Sequence, residues 1–203
     1  MAEKLKNLQN TLKKYADHKV ALEKESDRGL VLIIASELDE LLKNLHLKRI
    51  SSNTSGNRKL AKALVSSPFA PVSSFAGRIQ VAYAYGLIDK DIFDSLEALR
   101  ALRNYAAHSS GTFSLRESHP DDLYKFLQPF LSIPWGDAKG DFAKKAKTLQ
   151  KHIKNRDFED DSMVKNVFLL QASMLNILFS LHEFGASLMD AKKKKSKQDR
   201  ATP

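Results

Sequence analysis

At 203 residues the chain is long enough for one domain to bury a core without covalent staples. It contains no cysteine, which excludes disulfides and thiolate zinc centres and fits a reducing, cytoplasmic setting. The formal net charge is +9, but the segment from Lys192 to Arg200 holds six Lys or Arg against one Asp, so the rest of the chain is only mildly basic.

The opening MAEKLKNLQNTLKKYADHK is charged throughout and does not read as a signal peptide. Leu5, Leu8, Leu12, Tyr15 and Leu22 recur at helical spacing, which predicts an N-terminal amphipathic helix over residues 1–24. Ser26 is placed to cap a strong helix running to about Arg49. Its run GLVLIIASELDELLKNLHL is apolar on most sides and predicts the central core helix. Residues 51–57 read as a loop, RKLAKALV as a short helix, and SSPFAPVSS, with two prolines, as a connector.

Ser74 then caps a helix that ends near Gly86, a residue suited to the left-handed position after a helix. Asp89 caps the next helix, which runs to His108. Residues 109–119 form a loop, and Pro120 opens a helix over DDLYKFLQPF. After the loop 132–141 comes a basic helix to about residue 155. The final helix is long, and Gln171, Ser173, Asn176 and His182 interrupt its apolar run. Recurring polar breaks favour a bundle core helix over a membrane span. No alternating strand pattern emerges. The expectation is an all-α bundle of five to seven helices over residues 25–190, followed by a disordered basic tail at 191–203.

The stretch LRALRNYAAHSSG, residues 99–111, carries the candidate site. On a helical wheel Arg103 falls among Ile92, Leu96, Leu99 and Ala106, so it is predicted to point inward. A buried guanidinium needs a carboxylate. On the 26–49 helix Asp27 lies within the apolar stripe, Glu37 at its edge, and Asp39 away from it. An Asp27–Arg103 ion pair is the first expectation and Glu37–Arg103 the second. Asn104 and His108, with Arg100, flank it on a more polar strip at the rim.

Elsewhere the histidines are scattered, without the spacing a metal site needs, and no cofactor motif occurs: no Gly-rich phosphate loop and no G-x-S-x-G elbow. Phe75, Tyr83 and Tyr85 read as core aromatics, and His182 with Glu183 as an interior or rim pair. Lys144, Lys145, Lys147, Lys151, Lys154 and Arg156 make a basic helix face. A solvated face is the ordinary reading of such a run, and this is also the best nucleic-acid patch on the body.

Ser26-Asp27-Arg28-Gly29, Glu37, Asp39, Pro68-Phe69, Pro71, Arg78-Ile79, Tyr83, Gly86-Leu87-Ile88, and Leu99-Arg100 through Arg103-Asn104 to His108 occur in that order over about residues 25–130. In this arrangement the chain resembles the MltR family, the mannitol operon repressor and its relatives. The likeness continues more weakly through the long C-terminal helix, and residues 1–24 match only as a helix. The resemblance implies an all-helical cytoplasmic bacterial regulator exerting negative control of transcription. No helix pair resembles a helix-turn-helix, so control through a protein partner is at least as strong an expectation as operator binding, with a homodimer as a further expectation. The same Arg103-Asn104-Tyr105-Ala106-Ala107-His108 also resembles the R-x4-H signature of HEPN domains. That likeness implies an alternative: a metal-independent ribonuclease or toxin-like protein that uses Arg103, Asn104 and His108 across a dimer, with His108 as general acid or base and Arg103 steadying phosphate charge.

Overall fold

The computed structural model describes residues 18, 20–53, 58–117, 119–134 and 140–199, with the side chains of 51–53, 58, 142 and 181–199 outside the described set. Eight helical segments are present among these residues, and no strand. In chain order they are α1 (Asp27–Asn53), α2 (Arg58–Ser66), α3 (Phe75–Ala84), α4 (Lys90–His108), α5 (Pro120–Phe126), α6 (Gln128–Leu131), α7 (Asp141–Asn155) and α8 (Asp161–Asp199). The fold is all-α, as expected. The expected N-terminal helix lies mostly outside the described residues, although residues 18 and 20–22 are helical.

Local chemistry sets the boundaries. At the start of α1, Ser26 Oγ accepts the Gly29 amide at 3.1 Å. Ser74 Oγ accepts the Gly77 amide at 3.1 Å, and Asp89 Oδ1 accepts the Ile92 amide at 2.9 Å. At the far end of α3, Gly86 takes φ +63°, and the Leu87 amide reaches back to the Ala82 carbonyl at 2.8 Å. α1 runs a few residues past the expected end near Arg49. The stretch read as one helix from Pro120 is two. Pro129 has no amide hydrogen to continue the ladder, and its ring crowds the preceding turn, so α5 stops and α6 adds a single turn. α8 continues to Asp199, which sets the Lys192–Lys195 run on its last turns.

α1 is the axis of the bundle and packs against α8, α4, α2 and α3, while α4 also carries α5 and α6. The core joins Leu30, Ile34, Leu38 and Leu42 of α1 to Leu96, Leu99 and Leu102 of α4 and to Phe168, Leu175 and Phe179 of α8. Phe126 packs on Phe168 with ring centroids 4.7 Å apart. Asp161–Ser180 is long and apolar enough to cross a bilayer, but half of it is buried inside the bundle.

Among the described residues one guanidinium is buried between helices, and it belongs to Arg78 on α3. Its side chain is 8% exposed and pairs with Asp39 on α1. A second arm donates to the Ser73 carbonyl at 2.7 Å. The carbonyl of Arg78 lies 2.9 Å from Nε2 of buried His46, also on α1. A carbonyl can only accept, so this His46 nitrogen carries the hydrogen. Burial holds the His46 pKa below its ordinary value; the hydrogen bond to the Arg78 carbonyl opposes that shift, and the Arg78 charge adds to it.

Two outcomes follow from this cluster. Asp39→Ala leaves the Arg78 charge with a single carbonyl partner and is expected to cost about 2 kcal/mol, below the figure for a fully buried pair because Asp39 is partly exposed. Urea unfolding at neutral pH measures it. Unfolded His46 takes up a proton near its ordinary 6.5, whereas the folded protein resists it. The contribution is therefore complete above about pH 6.5 and lost as pH falls through the lower folded value. Melting scans across pH 7.5 to 5 should show the fall, and His46→Gln should flatten it.

Candidate functional site

The N-terminus of α1 grips the loop that follows α4. Arg28 donates to the carbonyl of Ser109 at 2.9 Å, to its hydroxyl at 3.1 Å, and to the carbonyl of Gly111. Asp27 accepts the Leu115 amide at 2.8 Å, and its other oxygen lies 3.3 Å from Lys165 Nζ on α8. Lys165 also donates to the Glu25 carbonyl at 2.7 Å. Asp27 sits in the first helical turn, where the helix dipole favours negative charge. Leu115 is buried, and Tyr105 packs on Phe113 and edge-on to His119, which closes the loop over the end of α4.

Arg103, Asn104 and His108 lie beside this loop, but not as expected. Arg103 is exposed and donates to the Asn104 side chain at 3.1 Å. Asp27 engages Lys165 and Leu115 instead, and Glu37 meets His18. Neither expected ion pair with Arg103 forms. Arg103 does share its side of the wheel with Ile92 and Leu96, which are buried, but it stands two to three turns further along α4, near its C-terminal end. There a long cation reaches water more cheaply than it reaches a carboxylate inside. The buried cation tied to an acid on α1 does exist, as Arg78 with Asp39, the acid expected to point away.

His108 is exposed and Asn104 partly buried. Five residues apart on one helix, Arg103 and His108 diverge by about 140°, so within one chain they cannot close on the same phosphate. Tyr83 and Tyr85 are corrected as well. Tyr85 is 78% exposed, and Tyr83 is about half as exposed while stacking on Phe93 at 4.6 Å; Phe75 does pack against the core. His182 and Glu183 fall where side chains are not described.

On α7, Lys144, Lys145, Lys147, Lys151 and Lys154 are exposed, while Ala143, Ala146 and Ile153 face the bundle. Arg156 leaves that face. It takes a left-handed φ of 54° at the helix end, pairs with Asp121 at 2.7 Å and stacks over Tyr124 at 4.7 Å. Among the described residues no cluster of His, Asp or Glu is arranged to hold a metal. A cleft of about 430 Å3 opens between the start of α4, α6 and α8, lined by Asp89, Asp91, Ile92, Ser132, Gln171 and Leu175. Gln171 is fully buried there, and neither of its amide atoms has a hydrogen-bond partner among the described residues.

The charge has a pattern that the totals hide. Residues 41–88 contain seven Lys or Arg and no Asp or Glu. This acid-free stretch includes α2 and the proline connector, and Phe69 in that connector is 98% exposed. An acid-free window of this length is readable directly from the sequence.

No family model matches the chain, and no curated protein matches it. Among solved structures, a chain in the X-ray structure of the MtlR–HPr complex from Escherichia coli is similar. The similarity covers 80% of this chain and 98% of that one, at 17% identity and a TM-score of 0.50. It shows a shared fold.

The geometry separates two arginines by consequence. Arg28→Ala removes three hydrogen bonds to one loop and is expected to cost about 1–2 kcal/mol and to speed amide exchange at residues 109–115. Arg103→Ala removes an exposed contact and should stay within about 0.5 kcal/mol of the parent. Hydrogen exchange with mass detection and urea unfolding measure both.

Proposed function

We propose that the chain is a regulatory protein that works by binding another protein, in the manner of the mannitol operon repressors that its sequence resembles. The observation that carries this is the fold likeness, over most of both chains, to a protein solved in complex with HPr. Negative control of transcription in the cytoplasm is the finer form of the proposal, and HPr is the partner that the comparison brings forward. The ribonuclease reading has less support, because Arg103 and His108 diverge on α4 and would need a second copy of the chain to share a phosphate.

Titration calorimetry of the purified chain with Escherichia coli HPr is the direct test. Binding at about 1 μM or tighter is expected. No heat at concentrations a hundredfold higher would overturn the HPr form of the proposal. Total RNA incubated with the chain without metal should remain intact. Cleavage that disappears in a folded His108→Ala variant would replace regulation with ribonuclease chemistry.

A further inference from the structure

The polar residues that interrupt α8 are not alike. Ser173 Oγ donates to the Leu169 carbonyl at 2.8 Å, and Asn176 Nδ2 donates to the Ala172 carbonyl at 3.3 Å, so each is satisfied by its own helix. Gln171 is not. It has 0% exposure, and neither its amide oxygen nor its amide nitrogen has a hydrogen-bond partner among the described residues. A leucine there would fill similar space without leaving a donor and an acceptor unmet. The chain keeps the amide, and keeps it on the wall of the cleft of about 430 Å3, a volume in the range of small-molecule sites.

The rest of that cleft sorts by burial. Ile92 and Leu175 are buried at its base, with Leu178 half-buried. Asp89, Asp91 and Ser132 are exposed, which places them at its rim. Asp89 Oδ1 accepts the Ile92 amide, and Asp91 Oδ2 accepts from Ser132 Oγ at 3.4 Å, which orients both carboxylates. No Lys, Arg or His is among the described lining residues, and adjacent Lys90 is held by Asp94. Two carboxylates outweigh the roughly half positive charge that the α4 N-terminus contributes beside them.

We infer that this cleft binds a small amphipathic amine. Its ammonium group meets Asp89 and Asp91 at the rim, its apolar body lies against Ile92, Leu175 and Leu178, and a hydrogen-bonding group answers the Gln171 amide. The acidic rim disfavours an anion of the same shape. A plain hydrocarbon tail would leave Gln171 as costly as before. The cleft opens at the start of α4, whereas the loop gripped by Arg28 follows the end of that helix. The site stands independently of HPr binding, and neither result decides the other.

Three probes that share a phenylethyl skeleton and differ at one end test it. Tyramine carries an amine and a hydroxyl, phenethylamine lacks the hydroxyl, and 3-(4-hydroxyphenyl)propionate carries a carboxylate where tyramine has its amine. Ligand-observed NMR on the full chain measures each. Tyramine is expected to bind with a Kd below about 1 mM, and the other two about tenfold or more weakly. Asp91→Asn is an exposed change that spares the core, and it should weaken tyramine at least about threefold. Gln171→Leu should bring tyramine and phenethylamine to equal affinity and raise the melting temperature of the free protein, because the unmet amide is gone. Absence of tyramine binding at about 10 mM, equal binding of the propionate, or tyramine affinity unchanged in Asp91→Asn overturns the site. So does a preference for tyramine over phenethylamine that persists in Gln171→Leu. Should Gln171→Leu fail to fold, Asp91→Asn and the probe series still decide.

Discussion

The fold turns on one buried positive charge. Arg78 places a guanidinium against the central helix, where it would be expensive if left alone, and two groups make it tolerable: the Asp39 carboxylate and the Ser73 carbonyl, while the Arg78 backbone carbonyl meets His46. These contacts fix three things together. They set α3 against α1 and lock the end of the proline connector. They also decide which turn residue is buried and which is presented. A hydrophobic contact at the same place would add stability but would leave the connector's direction open, since apolar packing is not directional. The pair also leaves one Arg78 nitrogen without a partner among the described residues, so the site is constrained by more than hydrogen-bond economy.

A second fastening works at the opposite end of α1. Asp27 and Arg28 are consecutive, so their side chains leave the helix in different directions, and both reach the loop after α4. Asp27 also meets α8 through Lys165. α1 is thus held near its beginning by a loop and a distant helix, and near its middle by α3. Between these points its buried residues, Leu30, Val31, Ile34, Ala35 and Leu38, are apolar. Polar ties at two places and a smooth core between them set the register of the bundle without burying a charge in its centre.

Much of this could be read in the sequence where chemistry is local. Ser26, Ser74, Asp89 and Gly86 mark helix ends because a hydroxyl, a carboxylate or a missing Cβ acts within three residues of itself. The buried arginine tied to an acid on α1 was legible in kind and not in address. A helical wheel says which side a residue leaves from, but the side that faces a neighbour is set by how helices cross. Arg103 lies close to the stripe of α4 yet faces water, and Asp39 lies away from the stripe of α1 yet meets α3, because which flank of a helix is covered depends on all its neighbours, four in the case of α1. Tyr83 and Tyr85 misled for a related reason: their spacing is helical, but α3 is short and ends there. The charge pattern from 41 to 88 needed no structure at all, only a reading of where acids are missing rather than of the sum.

The bond between Lys165 and the Glu25 carbonyl joins residues 140 apart, and the same helix pair forms a large part of the core. On the ribosome, α1 emerges long before α8 exists. Until α8 arrives, Leu30, Ile34 and Leu38 have no complete cover, so the nascent chain carries bare greasy surface through most of its synthesis. A truncation that removes Val164 to Phe179 would strand the protein in that state.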